Sequence, residues 1–244
     1  DSVLLERLLG ESGKEEAGIY AAGYRLLDMC NIFGLMFAGI LLPLFGRMLM
    51  QKQNIRPIIG VSVNILMPLS FMIAVASWFF GKEIMQLLYT DSTEQGALVF
   101  SLLMSSFPAF CIMYVYSTLL TASGNLTLLN KIALGGVITN IAMNLFLIPL
   151  YRSAGAATAA LITQSSLALC FILFAKKDML LTTNVKWVIA HLAFLMLLLF
   201  AAYAVRLFPV QWQFQLFIFA LVGVAAIFLF RFISLTSIKK LMER

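Results

Sequence analysis

The sequence predicts an all-α integral membrane protein, an antiparallel transmembrane helix bundle of seven full spans plus the end of an eighth. Its 244 residues are 62% hydrophobic and only 11% charged, whereas soluble domains are nearer half apolar and a quarter charged. A water-soluble fold of this length cannot bury so much apolar surface, so lipid must surround most of the chain. The connections between apolar stretches are short, which favours antiparallel neighbouring helices.

Each predicted span is a mainly apolar stretch of about 20 residues, the length that a helix needs to cross the hydrocarbon core. Gly, Pro and charged residues separate the stretches, as in "QKQNIRP", "TDSTEQG" and "YRSAG". The predicted spans are 20–42, 58–80, 97–120, 128–150, 154–175, 186–206 and 213–233. Residues 1–9 are interpreted as the tail of an eighth helix, because a cut inside a longer protein explains a start at Asp1 most simply.

Lys and Arg predict the orientation of the bundle, because cytoplasmic loops carry an excess of these residues. The richer set of alternate loops contains Arg47, Lys52, Arg56, Lys131, Lys176, Lys177, Lys186, Arg231, Lys239, Lys240 and Arg244. The poorer set contains Arg7, Lys14, Lys82, Arg152 and Arg206, and the acidic residues Glu11, Glu15, Glu16, Glu83, Asp91 and Glu94 lie on its side. We therefore expect a cytoplasmic C-terminus. The net charge of +6 then follows from topology and needs no nucleic-acid partner.

The first predicted span contains an arginine and an aspartate three residues apart. On a helix, Tyr24, Arg25, Asp28 and Asn31 fall within about 120° of one another. An intramembrane charge is costly and normally faces protein or a wet cavity. One interpretation is an aqueous cavity where Arg25 attracts a negatively charged substrate and Asp28 orients it or carries a proton or ion. The alternative is a mutually neutralising pair that only fixes helix packing.

Two later spans repeat this pattern more weakly. Asn140 and Asn144 lie one turn apart, and Gln164 belongs to a stripe of small residues. Close helix packing with amide hydrogen bonds explains both patterns, and cavity lining is the alternative. Pro68 and Pro108 fall near the middle of their spans and predict helix kinks, which are common in transporters that alternate between two states.

The sequence contains no pattern typical of an enzyme or of a metal site. His191 is the only histidine, and its place at the start of the sixth span predicts an interfacial residue. No phosphate-binding glycine loop and no cluster of carboxylates within the spans are visible. We therefore expect no catalytic residues, no metal and no cofactor, and leave open a coupling to H⁺ or Na⁺.

Three stretches, "EEAGIYAAGYRLLD", "LLPLFGRML" and "IPLYRSAGAATAALITQ", carry a family resemblance over most of residues 1–175. They resemble the C-terminal half of bacterial polysaccharide flippases. These belong to the multidrug/oligosaccharidyl-lipid/polysaccharide exporter superfamily, together with the multidrug and toxic compound extrusion (MATE) transporters. The positions that match the family's two motifs are Gly18, Tyr20, Ala22, Pro149, Tyr151, Gly155, Ala156, Ala157 and Ala159. Arg152 stands where the family often has Gly.

The resemblance implies half of a MATE-like two-lobe transporter. Residues 1–175 would form the C-terminal lobe, a truncated first helix plus five spans, and residues 176–244 two additional helices and a cytoplasmic tail. The implied function is outward flipping of undecaprenyl-pyrophosphate-linked oligosaccharide across the bacterial inner membrane by alternating access, for polysaccharide, O-antigen or capsule export. Arg25 would help to hold the pyrophosphate or acidic sugars. Implied partners are membrane lipids, the missing N-terminal lobe and a polysaccharide polymerase machinery.

Two other functions remain open at this stage. A proton- or sodium-coupled antiporter of drugs or metabolites in the same superfamily would depend most on Asp28, because a cationic drug favours a carboxylate. A membrane enzyme of glycan assembly would normally show a large extracytoplasmic loop with clustered arginines or a histidine. The loops here are short, which argues against an enzyme.

Overall fold

The computed structural model describes residues 1–89, 94–178 and 185–232, and this part of the chain is almost entirely helical. The helices are α1 Ser2–Leu9, α2 Gly13–Met50, α3 Arg56–Leu88, α4 Glu94–Ser105, α5 Phe107–Ala122, α6 Leu126–Asp178, α7 Val185–Arg206 and α8 Trp212–Leu229. Six described segments are long and apolar enough to cross a membrane. The predicted all-α membrane class is confirmed at this level. Asp91 and the tail with Lys239, Lys240 and Arg244 lie outside the described residues.

Helix α2 packs one face against the bundle and exposes the other. Its buried residues recur at intervals of three and four, the spacing that places side chains on one face of a helix. This buried series includes Glu16, Tyr20, Gly23, Leu27, Asn31, Gly34, Leu41 and Phe45. It contacts α1, α4, α5 and α6. The helix begins at Gly13 and ends at Met50, and it therefore extends well beyond the predicted span 20–42.

Helix α6 is a hairpin of two antiparallel arms, residues 126–151 and 153–178. A Cβ atom on Gly136 would stand 2.6 Å from the side chain of Leu167, although 31 residues of straight helix would separate them by about 46 Å. The chain reverses at Arg152, whose φ of 53° and ψ of −130° are not helical. The arms coincide with the separate predicted spans 128–150 and 154–175.

Pro68 and Pro108, at which the sequence predicts helix kinks, have different local structures. Pro108 lies in the first turn of α5, just after Ser106, the residue that separates α4 from α5. Proline fits a first turn because its missing N–H has no intrahelical acceptor there. The predicted span 97–120 is therefore divided into two helices. Pro68 lies inside α3, which runs without a break from Arg56 to Leu88.

Two groups of buried apolar side chains hold the bundle together. The larger group draws on α1 to α6, and the smaller joins α3 to α7 and α8. Polar contacts also join α7 to α3. The Trp187 indole donates to Asn64 Oδ1 at 2.5 Å, and Arg206 Nη2 lies 2.6 Å from Glu83 Oε1. Helices α7 and α8 are thus attached to the rest of the bundle mainly through α3.

His191 lies near the start of α7, where the sequence predicts an interfacial residue, and its side chain faces the protein interior. Its side chain is only 4% exposed. The ring lies between Trp187 and Phe232, with centroid distances of 4.1 and 4.4 Å. The sequence pattern could not reveal this burial, because Trp187 lies near the start of α7, whereas Phe232 follows the end of α8 and is distant in the chain.

Candidate functional site

Arg25 and Asp28 both lie on the exposed face of α2. The residues around them on that face are large and apolar, including Met29, Ile32 and Met36. A charged pair flanked by apolar side chains is costly against lipid, so this face requires either water or further protein beside it. The exposed position of both charges is the feature that a substrate cavity would need.

Arg25 and Asp28 do not form an ion pair with each other. The ion pairs that the structure shows elsewhere among the described residues include Lys82 with Glu94, Arg152 with Glu16, and Arg206 with Glu83. All six of these residues belong to the loops or helix ends that the charge count placed on the outer side. The charges of Arg25 and Asp28 are therefore not neutralised by mutual contact and remain available to another charged group.

Tyr24 and Asn31 lie beside this charged surface but turn towards the bundle. Tyr24 is half-buried and stacks on Tyr20 with a centroid distance of 5.7 Å. Asn31 is 7% exposed, and its Oδ1 atom has no hydrogen-bond partner among the described residues. The helix face on which the sequence places these residues is therefore divided between an exposed charged part and a buried polar part.

Asn140 and Asn144 form a buried polar cluster with residues near the start of the chain. Asn144 is fully buried, and its amide donates to Asp1 Oδ1 at 2.7 Å and to Asn140 Oδ1 at 3.0 Å. The Tyr20 hydroxyl donates to the other Asp1 oxygen at 2.7 Å. This cluster joins α1, α2 and the first arm of α6. Its hydrogen bonds stabilise the packing of these helices.

Gln164 lies on the second arm of α6. Its side chain is half-buried, and the carbonyl oxygen Oε1 is buried without a partner among the described residues. The stripe of small residues to which it belongs is buried, and its members are Ser153, Ala157, Ala160 and Ala168. Small side chains let membrane helices approach closely, which agrees with the packing interpretation of this stripe.

Sequence reasoning missed a polar junction at the turn of the α6 hairpin. The Glu16 carboxylate accepts hydrogen bonds from the Ser153 backbone N–H at 3.1 Å and from the Gln95 amide at 2.8 Å. Arg152 Nη1 lies 3.5 Å from its other oxygen. Glu16 thus caps the first turn of the second arm, whose N–H groups have no intrahelical acceptor. The one sequence signal for this junction was the four-residue spacing between Glu16 and Tyr20, which places both side chains on the same face of α2.

The described residues contain no group of three or more His, Cys, Asp or Glu side chains arranged to hold a metal ion. Two comparisons with known proteins add information. The family model described as "Lipid II flippase MurJ" matches residues 17–225, which is most of the chain. No curated protein matches the chain.

Proposed function

Because the chain belongs to the lipid II flippase MurJ family, we propose that it moves a lipid-linked glycan precursor across the bacterial inner membrane by alternating access. The family consists of transporters rather than enzymes, and it acts on lipid-linked precursors. Together with the six apolar helices, this identifies a multi-pass inner-membrane protein.

One observation carries the proposal at the level of residues. Arg25 and Asp28 stand exposed and unpaired with each other on an otherwise apolar face of α2. A polyprenyl diphosphate carries negative charge on a small group, and a guanidinium matches phosphate oxygens with two parallel hydrogen bonds. Arg25 would therefore hold the diphosphate, while Asp28 would repel it and limit how deeply it binds. Tyr24, at the edge of this face, would contact the sugars.

We favour lipid II as the substrate because the matching family carries that name. The motifs of the sequence also resemble polysaccharide flippases, so an O-antigen or capsule precursor is the second candidate. Both share the lipid-linked diphosphate, and the chemistry at Arg25 would be the same. Selection between them would depend on contacts with the sugars or peptide.

The proposed topology has seven full spans, with the α6 hairpin contributing two of them. Residues 1–175 would form one lobe of a two-lobe, MATE-like transporter, and α7 and α8 would be an additional pair attached through α3. The separate apolar group that joins α3, α7 and α8 supports this division. We expect a second, preceding lobe to close the cavity around Arg25, and the C-terminus to be cytoplasmic.

The driving force is also a proposal. The Asp28 carboxylate could bind a proton or Na⁺ when the diphosphate leaves, which would couple substrate release to an ion gradient. The same exposed carboxylate is what favours the alternative function, an ion-coupled antiporter of cationic drugs or metabolites. The two functions differ in the sign of charge that the site must accept.

The experiment that tests the proposal uses the intact protein in proteoliposomes. Fluorescent lipid II and a fluorescent lipid-linked O-antigen unit are supplied in one leaflet, and their appearance in the other is measured with and without H⁺ or Na⁺ gradients. We expect at least one of the two lipids to be flipped, lipid II the faster. Export of a cationic dye with no flipping of either lipid would contradict the proposal and favour the antiporter.

A further inference from the structure

The hairpin of α6 contains a groove that takes no part in the proposed transport path. A cavity of about 480 Å³ opens between the two arms, which is within the usual size of small-molecule sites. Its wall is formed mainly by small and apolar side chains, and includes Lys131, Gly135, Gly136, Thr139, Leu167 and Phe174. None of its lining residues belongs to α2, so it is distinct from the surface around Arg25.

The length of the groove matches one leaflet of a bilayer. The groove extends from Leu128 and Phe174 at one end to Thr139 and Thr163 at the other. Eleven residues of the first arm correspond to about 16 Å, and half of a hydrocarbon core is about 15 Å. A chain lying in this groove would run along the membrane normal within a single leaflet.

Two adjacent glycines, Gly135 and Gly136, line the middle of the groove. A Cβ atom on Gly135 would meet nothing within 4 Å, whereas a Cβ atom on Gly136 would press against Leu167. Gly136 therefore lets the two arms approach each other, and Gly135 leaves open space at the position of its missing side chain. Any larger side chain at Gly135 would occupy the volume that a ligand needs.

One end of the groove is positively charged. Lys131 lies on its rim and is exposed. The antiparallel arms bring Lys176 and Lys177 to the same end, and none of these three lysines takes part in an ion pair between described residues. Lysines at the end of an apolar groove attract a phosphate at the level of the lipid headgroups.

We propose that this groove binds one phospholipid with an anionic headgroup, with an acyl chain between the arms and the phosphate at Lys131. The apolar wall and the one-leaflet length fit an acyl chain, and the lysine cluster fits the headgroup. The charge count assigns this end to the cytoplasmic side, so the lipid comes from the inner leaflet. Such a lipid would fill the groove between the two arms of the hairpin without entering the transport cavity.

The test measures lipid binding to the intact purified protein by native mass spectrometry. Phosphatidylglycerol and phosphatidylcholine with identical acyl chains are titrated separately. We expect one tightly bound phosphatidylglycerol. Lys131→Gln should weaken its binding about fivefold and leave phosphatidylcholine unchanged. Gly135→Leu should weaken both lipids about tenfold or more, because each excluded methylene removes a favourable contact.

Gly60→Leu is the matched control, because Gly60 of α3 also has open space at its Cβ position and lies outside the groove. It should bind both lipids as the unmodified protein does. Unchanged phosphatidylglycerol affinity in Gly135→Leu would overturn the proposed site. Equal affinity of the unmodified protein for the two lipids would overturn the proposed anionic headgroup, and so would a full preference for phosphatidylglycerol in Lys131→Gln.

Discussion

Replacing Arg25 by alanine is expected to slow flipping of the lipid-linked precursor severely while the protein stays folded in the membrane. Arg25 is exposed on α2 and makes no ion pair with Asp28, so its loss should not disturb packing. A hydrogen bond to a charged group is worth about 1.5–3 kcal/mol, and each 1.4 kcal/mol corresponds to about a tenfold change. The flipping rate in proteoliposomes should fall at least about tenfold.

Two further variants separate charge from structure in this experiment. Arg25→Lys keeps the charge but loses the two parallel hydrogen bonds of the guanidinium, so we expect it to retain part of the rate. Arg7→Ala removes an exposed cation from α1, outside the α2 face, and should flip lipid at the normal rate. An Arg25→Ala protein that flips lipid as fast as Arg7→Ala would remove Arg25 from the mechanism.

Replacing Gly155 by alanine is expected to have the largest effect on stability. A Cβ atom at this position would collide with the backbone carbonyl of Leu147 and come within 3.1 Å of the Ile148 nitrogen. Both belong to the first arm of the hairpin, just before its turn. Backbone atoms cannot rotate away as a flexible side chain can, so the two arms must separate. We expect a loss of about 3 kcal/mol in the free energy of unfolding.

The measurement is thermal or denaturant unfolding of the purified protein in detergent, with Gly135→Ala as the control on the other arm. Gly135 has open space at its Cβ position, and alanine favours a helix over glycine by about 0.5–1 kcal/mol. This control should therefore be as stable as the unmodified protein or slightly more so. Equal stability of the two variants would show that the arms do not pack as closely as described.

The helical spans and the hairpin could be predicted because they depend on local patterns. Apolar length marks each span, and the short "YRSAG" stretch marks the reversal at Arg152. Pro108 indicated a disturbed helix, and the helix is divided there. The turn φ of 53° at Arg152 was not predictable, since arginine rarely adopts it.

The polar contacts within the bundle could not be predicted, because they join residues far apart in the chain. Glu16 meets Ser153, and Asn144 meets Asp1, and no periodicity links such pairs. The helical spacing of Arg25 and Asp28 allowed both a mutual ion pair and an open charged face. Only the side-chain positions distinguish these alternatives, and they favour the open face.

The most direct test of the central claim is whether water reaches Asp28. In a protein whose three cysteines, Cys30, Cys111 and Cys170, are replaced, Asp28→Cys and Phe146→Cys are treated with a charged, membrane-impermeant thiol reagent on each side of the membrane. Phe146 is 76% exposed on the apolar outside of α6 and should stay unlabelled in lipid. We predict that position 28 is labelled from at least one side and is protected by the lipid-linked precursor. Labelling no greater than at position 146, from both sides, would contradict an aqueous substrate path along α2.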